Sequence, residues 1–123
     1  MRVGPFVLLV VLAAPLSPVN ADFYRRQDVK DQCSGVYGGN VEPGDKALVT
    51  NIVQQRCDMY LLGIVDGIEM QRSEDGKKSC IPAGLDGRAV LNPIKAELMK
   101  PSKDAYGTSK LVRRVLKTRF GCE

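Results

Sequence analysis

The chain has 123 residues, a net charge of +4 and no histidine. Without histidine, Ser-His-Asp and Cys-His catalysis are excluded, and with them most catalytic zinc sites. Carboxylate chemistry is what survives, in a length that supports one domain with a modest core.

The chain opens on a segment made for export. Arg2 supplies one positive charge ahead of an apolar run from Phe6 to Leu12, which extends less cleanly through Leu16. Ser17-Pro18-Val19-Asn20-Ala21 then offers small or β-branched residues at −3 and −1 for a peptidase cutting after Ala21. A membrane-spanning helix needs about 20 apolar residues; this stretch is shorter and carries Pro5, Pro15 and Pro18, which would also break a buried N-terminal helix. Residues 1–21 are read as a signal peptide and residues 22–123 as the mature domain, with a charge of +3 once Arg2 is removed. No cysteine sits at the cleavage point to carry a lipid, and nothing later approaches membrane-spanning length.

The mature chain reads as helical nearly throughout. A short first helix is predicted over about Phe23 to Cys33, with Phe23, Val29 and Cys33 inward. Gly35, Gly38, Gly39, Asn40, Pro43 and Gly44 make Ser34 to Lys46 a loop. The second helix, about Lys46 to Arg72 with Asp45 as its cap, is the strongest element. Val49, Ile52, Val53, Cys57, Tyr60, Leu61, Ile64, Val65 and Ile68 recur along it at three- and four-residue steps and predict its buried face. Gly63 and Gly67 stand one turn apart in it, where each glycine costs about 1 kcal/mol against alanine. That pair predicts close approach by another helix or subunit, with a solvated face as the bland alternative.

Ser73 to Ser79 is a charged turn. A third helix is predicted from a cap at Asp86 to about Lys100, with Leu85, Val90, Leu91, Ile94 and Leu98 buried. Pro93 is expected to kink or split it, and Pro101 to end it. The fourth helix starts at a Thr108 or Ser109 cap and turns Leu111, Val112, Val115, Leu116 and Phe120 inward. Its outer face carries Lys110, Arg113, Arg114 and Lys117, with Arg119 beside them and no acid among them. Lys117 and Arg119 suit the negative end of the helix dipole. With no aromatic residue interleaved, the stripe is not read as a nucleic-acid surface; a solvated face is favoured over a docking surface for an acidic partner.

Cys33, Cys57, Cys80 and Cys122 are an even set in a small exported chain, which points to two disulfides. A zinc site is disfavoured, because the thiols come singly, 24, 23 and 42 residues apart, with no histidine. Three connectivities are possible. Antiparallel helices joined by a short loop bring the start of one beside the end of the other, which favours Cys33–Cys57 and Cys80–Cys122. The acidic pairs Asp66/Glu69 and Glu74/Asp75 read as solvated surface in a chain with 14 acids. The fold class is therefore all-α: a small bundle of about four helices stapled by two disulfides, with no cofactor and no metal ligand set.

Several blocks resemble a known family. Cys57-Asp58-Met59-Tyr60-Leu61-Leu62-Gly63-Ile64-Val65-Asp66-Gly67 is similar to a C-x-x-Y-x-x-G-hydrophobic-x-D signature, and Cys80-Ile81-Pro82 to C-hydrophobic-P. Leu98 to Pro101 has a leucine, two residues and a proline, and Phe120-Gly121-Cys122 is similar to an F-P-C ending with glycine in place of proline. These blocks resemble the Rap/Tai immunity proteins, which protect bacteria from peptidoglycan amidases delivered by type VI secretion. Lys100, where a histidine is common, and Pro93 are further departures.

The resemblance implies a periplasmic, helical, non-enzymatic inhibitor that forms homodimers and occupies the amidase cleft, with no nucleic-acid or membrane partner in mature form. Tyr60, Gly63, Asp66, Gly67, Pro82, Pro101 and Phe120 are its structural motif positions here. An inhibitor that plugs a cleft needs a protrusion. The first candidate is the charged turn, with Glu74, Asp75, Lys77 and Lys78; the second is Lys100 to Gly107, with Lys103, Asp104 and Tyr106. Two other classes stay open. A periplasmic acid-stress chaperone would have to titrate carboxylates alone. A carboxylate-dependent cell-wall hydrolase would need a cleft holding two acids within about 5–10 Å.

Overall fold

A computed structural model describes residues 25–35, 39–102 and 107–123. The expected signal segment, Phe23, and Lys103, Asp104 and Tyr106 lie outside the described residues. The elements are α1 (Arg26–Cys33), a 3₁₀ turn (Pro43–Asp45), α2 (Lys46–Glu74), α3 (Gly87–Met99) and α4 (Thr108–Phe120), with no strand among the described residues.

The 29-residue α2 is the spine, and α1, α3 and α4 all pack on it. It buries Val53, Cys57, Leu61, Val65 and Ile68, which follow one another at three- and four-residue steps on one side. Against that line α3 sets Val90, Leu91, Ile94 and Leu98, and α4 sets Leu111, Val112, Val115 and Leu116. Each leucine or isoleucine fully buried there contributes about 1.5–3 kcal/mol. Among the described residues no helix is long and apolar enough to cross a membrane.

At eight residues α1 is too short to stand alone. Asp28 accepts from the Arg25 N–H at 3.1 Å to start it, and Val29 and Cys33 turn inward. The Arg26 guanidinium donates to the carbonyls of Glu97 (3.0 Å) and Lys100 (3.4 Å) at the end of α3, where the Glu97 carbonyl also accepts from the Lys100 N–H at 3.3 Å. Two disulfides complete the frame. Cys33 and Cys57 join α1 to α2 with Cα atoms 5.1 Å apart, and Cys80 and Cys122 join the segments before α3 and after α4 at 5.2 Å.

Several local expectations are corrected. Asp45 stands at the N-cap position of α2 but makes no side-chain cap bond: it belongs to the 3₁₀ turn, and its backbone is helical (φ −97°, ψ −4°) where a capping residue is extended. Ile52 is 41% exposed because it falls one position, about 100°, off the line through Val53. Leu85 is also exposed, since it precedes α3 in a turn where its N–H donates to the Pro82 carbonyl. Pro93 does not split α3. It leaves the Ala89 carbonyl without its helical donor, but the buried residues on both sides hold the helix as one element. Neither Thr108 nor Ser109 caps α4, which begins at Thr108 after Gly107 with no side-chain cap bond. The cap at Asp86 is present, its carboxylate accepting from the Arg88 N–H, and Lys100 turns extended before Pro101.

Candidate functional site

The charged turn begins later than its composition suggests. Ser73 and Glu74 belong to α2, and the reversal comes at Gly76, in the left-handed region at φ 70°. There the Asp75 N–H donates to Gln71, the Gly76 N–H to Ser73 and the Lys77 N–H to Arg72, all to backbone carbonyls at 2.9–3.0 Å. Glu74, Asp75, Lys77 and Lys78 are thus brought together, all exposed, at one end of the bundle.

Two α2 side chains brace this turn from below. Arg72 donates to the Lys78 carbonyl at 3.0 Å and to the Glu123 carbonyl oxygen. Glu69 lies 3.7 Å from Arg72 Nε and accepts from the Ser79 hydroxyl and, at 3.4 Å, from the Cys80 N–H. Its Oε1 also sits 2.9 Å from Cys80 Sγ, beside the bridge to Cys122. Side-chain exposures of 15% for Arg72 and 19% for Glu69 set this pair apart from a surface ion pair, which solvent weakens. Glu69, Cys80 and Cys122 place one oxygen and two sulfurs within 4.8 Å of one another. The two sulfurs are bonded to each other, so they offer no thiolate to a metal.

The end of α2 and the turn face α4 across an open groove of about 620 Å³. Ile68 and Leu116 lie at its base; Gln71, Asp75 and Lys77 line one wall, and Arg113 and Lys117 the other. On the opposite flank of α4, Glu97 is held 2.6 Å from Lys100 Nζ and 3.7 Å from Arg114. The Lys100 hydrogen bond, then the charges of Lys100, Arg114 and Arg26, keep its carboxyl below the usual carboxylate range against an opposing desolvation effect.

The motif positions divide into two sets. Tyr60 and Phe120 are half-buried against the core, whereas Pro82 and Pro101 sit in exposed connections. Gly63, Asp66 and Gly67 lie on the exposed side of α2, and a Cβ built on either glycine meets no atom within 4 Å. No helix among the described residues makes the close approach that the glycine pair predicts. Asp66 and Glu69, read together as solvated surface, part company: Asp66 is exposed and Glu69 is the hub under the turn. Glu69 and Arg72 are the residues that sequence reasoning missed. The available signal was their i, i+3 spacing one turn before a glycine-stopped helix end.

Residues 25–122 match the model of the Rap1a immunity proteins. The chain belongs to the Rap1a immunity protein family. No curated protein and no solved structure matches it. The Rap1a match opens one residue before α1 and closes on Cys122, so it takes in all four described helices and both bridges. A role in immunity, binding a cognate effector, follows from membership of the family.

Proposed function

We propose that this Rap1a family protein is a periplasmic inhibitor of a peptidoglycan amidase toxin delivered by type VI secretion. It acts by occluding the active-site cleft, without chemistry of its own. The family match over residues 25–122 carries the reading. Residues 1–21 as a cleaved signal peptide, with residues 22–123 as the mature domain, support the periplasm. Two disulfides in so small a chain agree with an oxidising compartment.

The turn carrying Glu74, Asp75, Lys77 and Lys78 is our first candidate for the part that enters the cleft. It is exposed yet braced by Glu69 and Arg72, so little conformational freedom is lost on binding. The segment with Lys103, Asp104 and Tyr106 is the second candidate. A homodimer belongs to the same reading. Leu48, Ile52, Met59, Gly63 and Met70 project within about 60° of one another on α2. Met59 is 74% and Met70 62% exposed, and the space above Gly63 is open to a second copy.

The test expresses a peptidoglycan amidase effector, sought among the genes neighbouring this one, in a periplasm with and without this protein. Rescue from lysis, a complex on size-exclusion chromatography, and a periplasmic protein whose sequence begins at Asp22 are expected. Unchanged lysis with no complex would overturn the reading. Rescue lost in K77E/K78E, with folding intact, assigns the contact to the first turn; rescue retained moves it to the second segment.

A further inference from the structure

We infer that the outer face of α4, with the groove between it and the end of α2, docks an acidic stretch of a partner protein. Five of the six exposed residues of α4 are cationic: Lys110, Arg113, Arg114, Lys117 and Arg119. Lys110 stands three and four residues from Arg113 and Arg114, and Lys117 four and three residues beyond them, so like charges face each other along the helix and repel. The fold gives only a partial reason for them. Lys117 and Arg119 complement the helix dipole at the last turn, and Arg114 shares Glu97 with Lys100. Arg113 sits mid-helix, and neither it nor Lys117 has an ion-pair partner among the described residues. Charge held against its own repulsion fits a surface completed by an acidic partner.

The groove supplies what a smooth basic patch lacks. Arg113 and Lys117 form one wall and Gln71, Asp75 and Lys77 the other, over an apolar base of Ile68 and Leu116. Lys77 and Arg72 are already turned to the main-chain oxygen of Glu123, which leaves Arg113 and Lys117 as the open cations. A carboxylate side chain entering there meets a guanidinium fork and an ammonium while its methylenes lie on apolar surface. Lys77 and Asp75 belong both to this groove and to the turn proposed above, so the two surfaces are continuous. An interface of ordinary size takes about 800 Å² from each partner, more than one turn supplies, and α4 adds a face about 20 Å long.

An anionic bilayer is the competing occupant, and the helix is poorly made for it. Leu111, Val112, Val115 and Leu116 are all buried, and no aromatic residue stands on the outer face, so nothing inserts beneath headgroups. The identity of the partner as an amidase rests on the reading of the previous subsection; the acidic chemistry does not.

The experiment titrates the neutralised amidase into wild-type protein, R113E/K117E, and the control K46E/R88E, by calorimetry at low and moderate salt. R113E/K117E is expected to bind at least tenfold more weakly with a flatter salt dependence, and K46E/R88E within twofold of wild type. The milder R113Q/K117Q should fall between them, with circular dichroism showing the fold intact. Equal affinity of R113E/K117E and wild type overturns the α4 assignment and leaves the inhibitor reading standing. If the wild-type protein binds no amidase, the inhibitor reading falls, and α4 is decided by amide shifts on titration with an oligo-glutamate peptide and with phosphatidylglycerol vesicles. Peptide shifts confined to residues 71–77 and 110–119 uphold the assignment. Peptide shifts elsewhere, no shifts, or binding to the vesicles alone overturn it.

Discussion

Gly121 ends α4 with φ at 72°, and that conformation lets its N–H reach the Lys117 carbonyl at 3.1 Å and the Cys122 N–H the Leu116 carbonyl at 3.4 Å. A residue with a β-carbon adopts the left-handed region at a cost of about 1–2 kcal/mol. Proline, locked near −65°, does not adopt it at all. The glycine that replaces proline in the F-P-C ending is therefore matched to the backbone that carries Cys122 to Cys80. G121A is expected to lower unfolding free energy by about 1 kcal/mol in chemical denaturation, because a Cβ here meets nothing within 4 Å and only the backbone resists. G121P is expected to do more, displacing Cys122 and leaving titratable thiols in the purified protein. A G121P protein with fully oxidised cysteines and unchanged stability would show that the left-handed ending is dispensable.

Among the elements, α2 shows how far periodicity reaches. Its three- and four-residue steps predict a helix and an inward face, and both are found. The predicted stripe was too broad, however. Val53, Cys57, Leu61, Val65 and Ile68 are buried, Val49, Tyr60 and Ile64 only half so, and Ile52 is exposed. Nothing local separates an isoleucine that faces a neighbour from one that faces outward; the position of α1, α3 and α4 decides it. The same helix carries the exposed Met59 and Met70 beside the open glycines. Wild-type protein is accordingly expected to sediment as a dimer and M59E/M70E as a monomer with unchanged helical content. An unchanged mass for the variant would place any dimer seam elsewhere.

At the scale of the whole molecule, the two bridges close successive halves of the chain. Cys33–Cys57 closes 24 residues and Cys80–Cys122 closes 42. In the chain-entropy model such loops are each worth about 3–4 kcal/mol, a large share of what a domain this small can hold. The consequences of losing them should differ in kind. C33S/C57S removes the covalent tie on α1, leaving an eight-residue helix held by its packing on α2 and α3 through Val29 and the Arg26 contacts. Hydrogen exchange should therefore report early opening of residues 26–33 while the rest of the core stays protected. C80S/C122S loosens the segment that Glu69 braces and both ends of the α3–α4 pair, so protection should fall across those two helices together. Uniform loss of protection in C33S/C57S would mean that α1 is integral to the core.

The all-helical class and the four segments could be read from the sequence, because each depends on neighbours a few residues apart, and the favoured pairing of cysteines followed once those segments were folded back on one another as hairpins. Periodicity sets a helix, glycine and proline end it, and a hairpin of helices brings Cys33 near Cys57 and Cys80 near Cys122. Other features were decided only when the helices assembled. Asp45 loses its cap to a 3₁₀ turn, Pro93 is carried through by the buried residues around it, and α2 runs on to Glu74. Arg26 finds its carbonyls 71 and 74 residues away, Glu69 becomes the brace of a turn, and Arg113 and Lys117 come to face Lys77 across a groove. Such contacts join residues far apart in the chain, and their partners are chosen by how helices pack, which local pattern does not encode.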